Sequence, residues 1–89
     1  MIEKHVTIIN KLGLHARAAA KLISTTGKFS SQIRINKEGR EVDGKSIMSV
    51  MMLAASKGTE LLIRAEGEDE AAAIDAITAL IEDYFGEGE

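Results

Sequence analysis

Cysteine and proline are both absent from this 89-residue sequence, and aromatic residues are scarce, with one tyrosine and two phenylalanines. Without cysteine there are no disulfides, no thiolate chemistry and no sulfur-based zinc sites, which fits a reducing cytoplasm. Without proline no rigid break marks a domain boundary, and no repeat, linker or low-complexity block interrupts the chain. The few aromatics leave little stacking surface for nucleic-acid bases, and no GXXG clamp is present. No apolar stretch approaches the roughly 20 residues of a membrane span, and Met1 to Val6 run into strand-like sequence rather than a signal peptide. One modest domain over residues 1–89 is expected, monomeric and cytoplasmic, and too small to carry a larger reaction without partner proteins.

The elements follow from hydrophobic period. Residues 2–9 alternate, with Ile2, Val6 and Ile8 on one side, and read as a strand. Residues 16–26 are rich in helix formers, with Ala19, Leu22, Ile23 and Thr26 on one stripe and Gly27 placed as a left-handed C-terminal cap. Gln32 to Asn36 and Arg40 to Asp43 flank the turn Lys37-Glu38-Gly39 as a hairpin. Ser46 is a good N-cap for a short apolar helix, Ile47 to Leu53. Glu60 to Glu66 alternates again, with Leu61, Ile63 and Ala65 on one face. A last helix follows Gly67, with Glu68, Asp69 and Glu70 suiting its positive end and an inward stripe of Ala73, Ile74, Ile77, Leu80, Ile81, Tyr84 and Phe85. Residues 86–89 are expected to fray into solvent.

Strands with one apolar face require the helices to gather on that side of a single sheet. The order β-α-β-β-α-β-α therefore predicts an α+β fold, an open-faced two-layer sandwich of a four-stranded antiparallel sheet with three helices on one face.

The run Gly13-Leu14-His15-Ala16-Arg17 carries the chemistry. It sets an imidazole between a tight turn and the first turn of a helix, where free backbone N–H groups and the helix dipole attract anions. Arg17 adds a second anion holder. Phosphoryl transfer asks mainly for positioning and charge stabilisation of the acceptor, which such a turn can supply. His5, mid-strand and without these neighbours, reads as structural or solvated. No second histidine stands at metal-ligand spacing and no serine sits in a nucleophile turn, so neither a metal site nor Ser-His-Asp catalysis is expected, and nothing calls for a cofactor. A group carrier fits better than a self-sufficient catalyst.

Charge is divided along the chain. Residues 1–45 hold nine Lys/Arg and four Asp/Glu, and residues 46–89 hold two and ten. With His15 in the basic half, the site face is expected to favour acidic or phosphorylated partners. Ile47, Met48, Met51 and Met52 are too many for a two-turn helix to bury on one side, which predicts an adaptable exposed patch. A basic nucleic-acid module and a small ligand-binding regulatory domain share the composition or the element order, but neither accounts for His15 and Arg17 at the turn.

Gly13-Leu14-His15-Ala16-Arg17 with Ala19-Ala20, followed by Lys45-Ser46-Ile47-Met48, resembles HPr, the family of histidine-containing phosphocarriers of the bacterial phosphoenolpyruvate-dependent sugar phosphotransferase system. The resemblance spans essentially the whole chain. It implies that His15 accepts a phosphoryl group through a ring nitrogen and that Arg17 stabilises it. It also implies that enzyme I is the donor, that IIA domains are the acceptors, and that Ala16, Ala20, Ile47, Met48 and Met51 contact these partners. Ser46 matches the position modified by the ATP-dependent HPr kinase/phosphorylase, and the first turn of its helix tolerates a phosphate. Ala18 replaces the proline that most of the family has after the arginine, and the closely similar carrier of the nitrogen-related phosphotransferase branch is the alternative that the resemblance leaves open.

Overall fold

The computed structural model describes residues Met1–Glu89. Its strands are β1 (Ile2–Thr7), β2 (Gln32–Lys37), β3 (Arg40–Asp43) and β4 (Glu60–Glu66), and its helices are α1 (Ala16–Thr26), α2 (Ile47–Met51) and α3 (Glu70–Glu82). The strands form one antiparallel sheet in the order β1-β4-β2-β3. The expected open sandwich is the observed one.

Alternation explains the two sheet faces. Along β4, Leu61, Ile63 and Ala65 are buried while Glu60 and Glu66 are exposed, and Ile33 and Ile35 of β2 sit beside them in register. These side chains, with Val6 of β1, Val50 of α2 and the inner stripes of α1 and α3, belong to one cluster of 19 buried apolar residues that also takes in Ile8, Leu14, Leu53, Ala55 and Phe85. The other face is left open and charged, with Arg64 donating to the carboxylates of Glu3 and Glu41.

Several boundaries differ from the sequence reading for local reasons. The hairpin turn tightens to Glu38-Gly39, both at positive φ, and Asn36 closes it by accepting from the Gly39 N–H at 3.1 Å. Gly27 ends α1 in the right-handed region, not the left-handed one, because its N–H still reaches the Ile23 carbonyl. Ala18 joins the buried stripe of α1 and Ile23 lies only at its edge. The α2 helix ends at Met51, two residues short of the expected Leu53, and Lys37 donates to the Leu53 carbonyl beyond its end at 2.9 Å.

The largest correction concerns the C-terminus. Residues 86–89 do not fray. After α3 the chain turns back through Tyr84, Phe85 and Gly86, all at positive φ, so Tyr84 swings outward while Phe85 becomes fully buried. Lys21 of α1 donates to the Phe85 carbonyl at 2.6 Å, and the Lys11 N–H donates to Glu89 O at 3.0 Å. A buried aromatic anchor and two chain-to-chain bonds outweigh the polar Gly-Glu composition that predicted disorder.

Asp69 joins the start of α3 to the segment before β2. Its carboxylate accepts from the Ser31 hydroxyl and from the N–H groups of Ser30 and Ser31 at 2.8 and 2.9 Å. These donors, the Ser31 hydroxyl first, lower its pKa from 3.8 to about 2. A carboxyl lowered in the folded state stabilises the fold fully above its unfolded value and loses that contribution as pH falls through the folded one. Asp69→Asn should therefore be less stable than wild type at neutral pH, and the difference should shrink between pH 4 and 2 as the wild-type carboxylate is protonated. Thermal melts across that range test this, and a pH-independent difference would contradict it.

Candidate functional site

Gly13 is where the site begins. Its φ is +70°, and a Cβ there would come within 2.6 Å of the Ala55 carbonyl oxygen. That close approach lets the next N–H, from Leu14, donate to the same oxygen at 2.8 Å. Asn10, fully buried, closes the turn by donating from Nδ2 to the Gly13 carbonyl at 2.8 Å. Leu14 is buried as an anchor, and His15 emerges as the N-cap of α1 in extended geometry.

The two ring nitrogens have different partners. Nδ1 accepts from the Arg17 backbone N–H at 3.3 Å, so it carries the lone pair. Nε2 meets the carboxylate of Glu87, and a carboxylate only accepts, so Nε2 carries the proton. These two contacts fit the Nε2–H tautomer, with the bare nitrogen turned toward the helix N-terminus. The His15 side chain is 30% exposed and that of Glu87 13%. Asn10 donates from the same Nδ2 to the other Glu87 oxygen at 3.0 Å. That bond, then His15 and the charge of Lys21, holds the Glu87 carboxyl below its usual range against the opposing effect of burial.

An open groove of about 680 Å³ lies over this ring. Arg17 and Lys21 of α1 line it together with Glu87 and Glu89. The Arg17 guanidinium is exposed and makes no bond within the chain, so it is free to hold an anion. The groove is thus of mixed charge, less biased toward acidic partners than the division of charge along the sequence implied, because the C-terminal turn brings Glu87 onto His15 and Glu89 into the groove lining.

The remaining candidate residues are also placed. Ala16 and Ala20 are exposed one turn apart on α1, and α2 packs against α1. On α2, Ile47 and Met51 are partly exposed at 38% and 39%, and Met48 is 69% exposed. Val50 and Leu53 are buried in the core. Ser46 caps α2, its Oγ accepting from the Ser49 N–H at 3.3 Å. His5 stands apart on the sheet, exposed and facing Glu60 at 3.1 Å. Sequence reasoning missed Asn10, Lys21 and Glu87. The Asn10 to Gly13 spacing carries a turn signal, whereas Glu87 lies 72 residues from His15 in a stretch that reads as solvent-exposed.

Gly13→Ala should cost about 2 kcal/mol or more, since it joins a clash with backbone to a disfavoured φ. It should also move His15, visible as large amide shifts at residues 14–17 and at Ala55. A variant with wild-type melting and unchanged shifts there would show that the turn does not depend on glycine.

The chain is similar to known proteins along nearly its whole length. Residues 2–83 match the family described as PTS HPr component phosphorylation site. The phosphocarrier protein HPr of Cupriavidus necator is 55% identical over 89 residues, covering all of both chains. The solved structure of HPr-C-His from Thermoanaerobacter tengcongensis superposes with a TM-score of 0.95 at 49% identity, over 98% of each chain. An HPr dimer from the same organism superposes at 0.79, covering 98% of this chain and 100% of that one, also at 49% identity. With an N-capping histidine on a glycine turn, an open antiparallel sheet and full-length similarity at this level, the chain belongs to the HPr phosphocarrier family.

Proposed function

We propose that His15 takes a phosphoryl group on Nδ1 from phosphorylated enzyme I and passes it to a IIA domain. The single observation that carries the choice of atom is the hydrogen bond from the Arg17 N–H to Nδ1, which marks the unprotonated nitrogen and aims it at the N-terminal end of α1. The Nδ1 lone pair forms the new bond to phosphorus while the donor's bond to phosphorus breaks and its electron pair returns to the donor. The Arg17 N–H and the neighbouring first-turn N–H groups then face phosphoryl oxygens, and the free guanidinium of Arg17 adds charge. Delivery to the acceptor is the same step in reverse.

Ala16, Ala20, Ile47, Met48 and Met51 form the contact surface in this reading, because one nitrogen has to meet two proteins in turn and methionine adapts to both. That use of the surface requires a free monomer. No helix is long and apolar enough to cross a membrane, and the reading places the carrier in the cytoplasm with enzyme I.

Incubation with enzyme I and labelled phosphoenolpyruvate tests the assignment. Wild type should gain acid-labile, alkali-stable label. His15→Ala should gain none while keeping its circular dichroism, since the ring caps α1 without entering the core. Arg17→Ala should still be labelled, roughly tenfold more slowly, for the loss of one charge-assisted contact. Labelling of His15→Ala at the wild-type level would end the proposal.

Ser46 is assigned as the regulatory site of the HPr kinase/phosphorylase. Its hydroxyl already caps α2, so a phosphate there suits the helix dipole while adding about two negative charges beside the contact surface. Ser46→Asp should keep its melting temperature and bind enzyme I more weakly, with part of the loss recovered in salt. Titration calorimetry showing wild-type affinity at low salt would contradict this.

A further inference from the structure

We propose that Glu87 is a positioning residue for His15, holding the ring proton on Nε2 so that Nδ1 remains the bare nitrogen; the proposal rests on the carrier reading above. Both carboxylate oxygens are committed. Oε1 accepts from Asn10 Nδ2 at 3.0 Å, and Oε2 accepts from His15 Nε2. A carboxylate held at two points has one orientation, and the ring bonded to it inherits that orientation. The same Asn10 amide also donates to the Gly13 carbonyl, so one buried side chain fixes both the turn that delivers His15 and the group that orients it.

The tail is built to keep Glu87 there. Phe85, fully buried two residues earlier, anchors the segment, and Lys21 holds its carbonyl at 2.6 Å. On the other side the Lys11 N–H donates to Glu89 O. Glu87 is thereby pinned from both directions along the chain.

The chemistry of transfer gives the contact a use. A neutral ring that attacks through Nδ1 and keeps its proton on Nε2 becomes positively charged once the N–P bond forms. The Glu87 carboxylate meets that charge at Nε2, on the ring edge opposite the phosphoryl group. A third group that orients a histidine tautomer and offsets the charge formed on it is a known way to raise the effectiveness of the ring. Without Glu87, Nδ1 and Nε2 compete for the proton, and a ring protonated on Nδ1 loses both its cap to Arg17 and its nucleophilic lone pair.

The 15N spectrum of the His15 ring, recorded on unphosphorylated protein at a pH where the ring is neutral, reads the tautomer directly. Wild type should show the Nε2–H form. Glu87→Ala should shift both ring nitrogens toward a mixture and slow uptake from phosphorylated enzyme I about tenfold, with unchanged melting. Glu87→Gln keeps an oxygen acceptor, so it should restore much of the Nε2–H signature and part of the rate, and being isosteric it carries the test if the alanine variant melts early. A wild-type ring spectrum in Glu87→Ala, or uptake within twofold of wild type, would overturn the proposal. Failure of wild type itself to take label would instead remove the carrier reading, and the ring spectrum, which needs no donor, would still judge the Glu87 contact.

Discussion

The position of His15 depends on a backbone contact: the Leu14 N–H donates to the Ala55 carbonyl at 2.8 Å, in a place where a Cβ on residue 13 would lie 2.6 Å from the same oxygen. That contact ties the loop after β1 to the loop after α2. It sets the start of α1 beside the end of α2, and the two helices pack together. The sheet contributes indirectly. Its buried residues hold α1 and α3 in place, and its charged open face takes no part in the site.

From this follows the division of labour within the ring. A histidine at an N-cap position does two things with two nitrogens, and here they are separated cleanly between the helix and the tail. Nδ1 satisfies a helix N–H that has no intrahelical acceptor, and a phosphoryl oxygen can take over that bond. Nε2 is engaged by a carboxylate that the protein itself keeps in place. In the proposed carrier role the site holds its donors already oriented, which is where most of the effect in phosphoryl transfer is found.

Much of this could be read from residue order. The alternation of Leu61, Ile63 and Ala65, the alanine-rich α1 and the Ser46 cap are local patterns with local causes, and each produced the element expected of it. Gly13, His15 and Arg17 were legible because turn, cap and cation fall within five residues. The tail was not legible, because Gly86 to Glu89 has the composition of a solvated end and only the long-range burial of Phe85, with Lys21 on its carbonyl, turns it back. Tyr84 and Phe85 continue the helical stripe in sequence yet part company in space, since positive φ at both residues sends one outward and the other inward. Glu87 was missed because nothing near it in sequence points to His15, whereas the Asn10 to Gly13 spacing carried a turn signal that went unread.

The central claim is that Nδ1 is the acceptor and Nε2 keeps the proton. It is tested most directly by phosphorylating the protein, labelled with 15N in its histidine rings, through enzyme I and phosphoenolpyruvate, and measuring which ring nitrogen of His15 couples to 31P. Coupling to Nδ1 with a proton retained on Nε2 is the predicted result; coupling to Nε2 would contradict it.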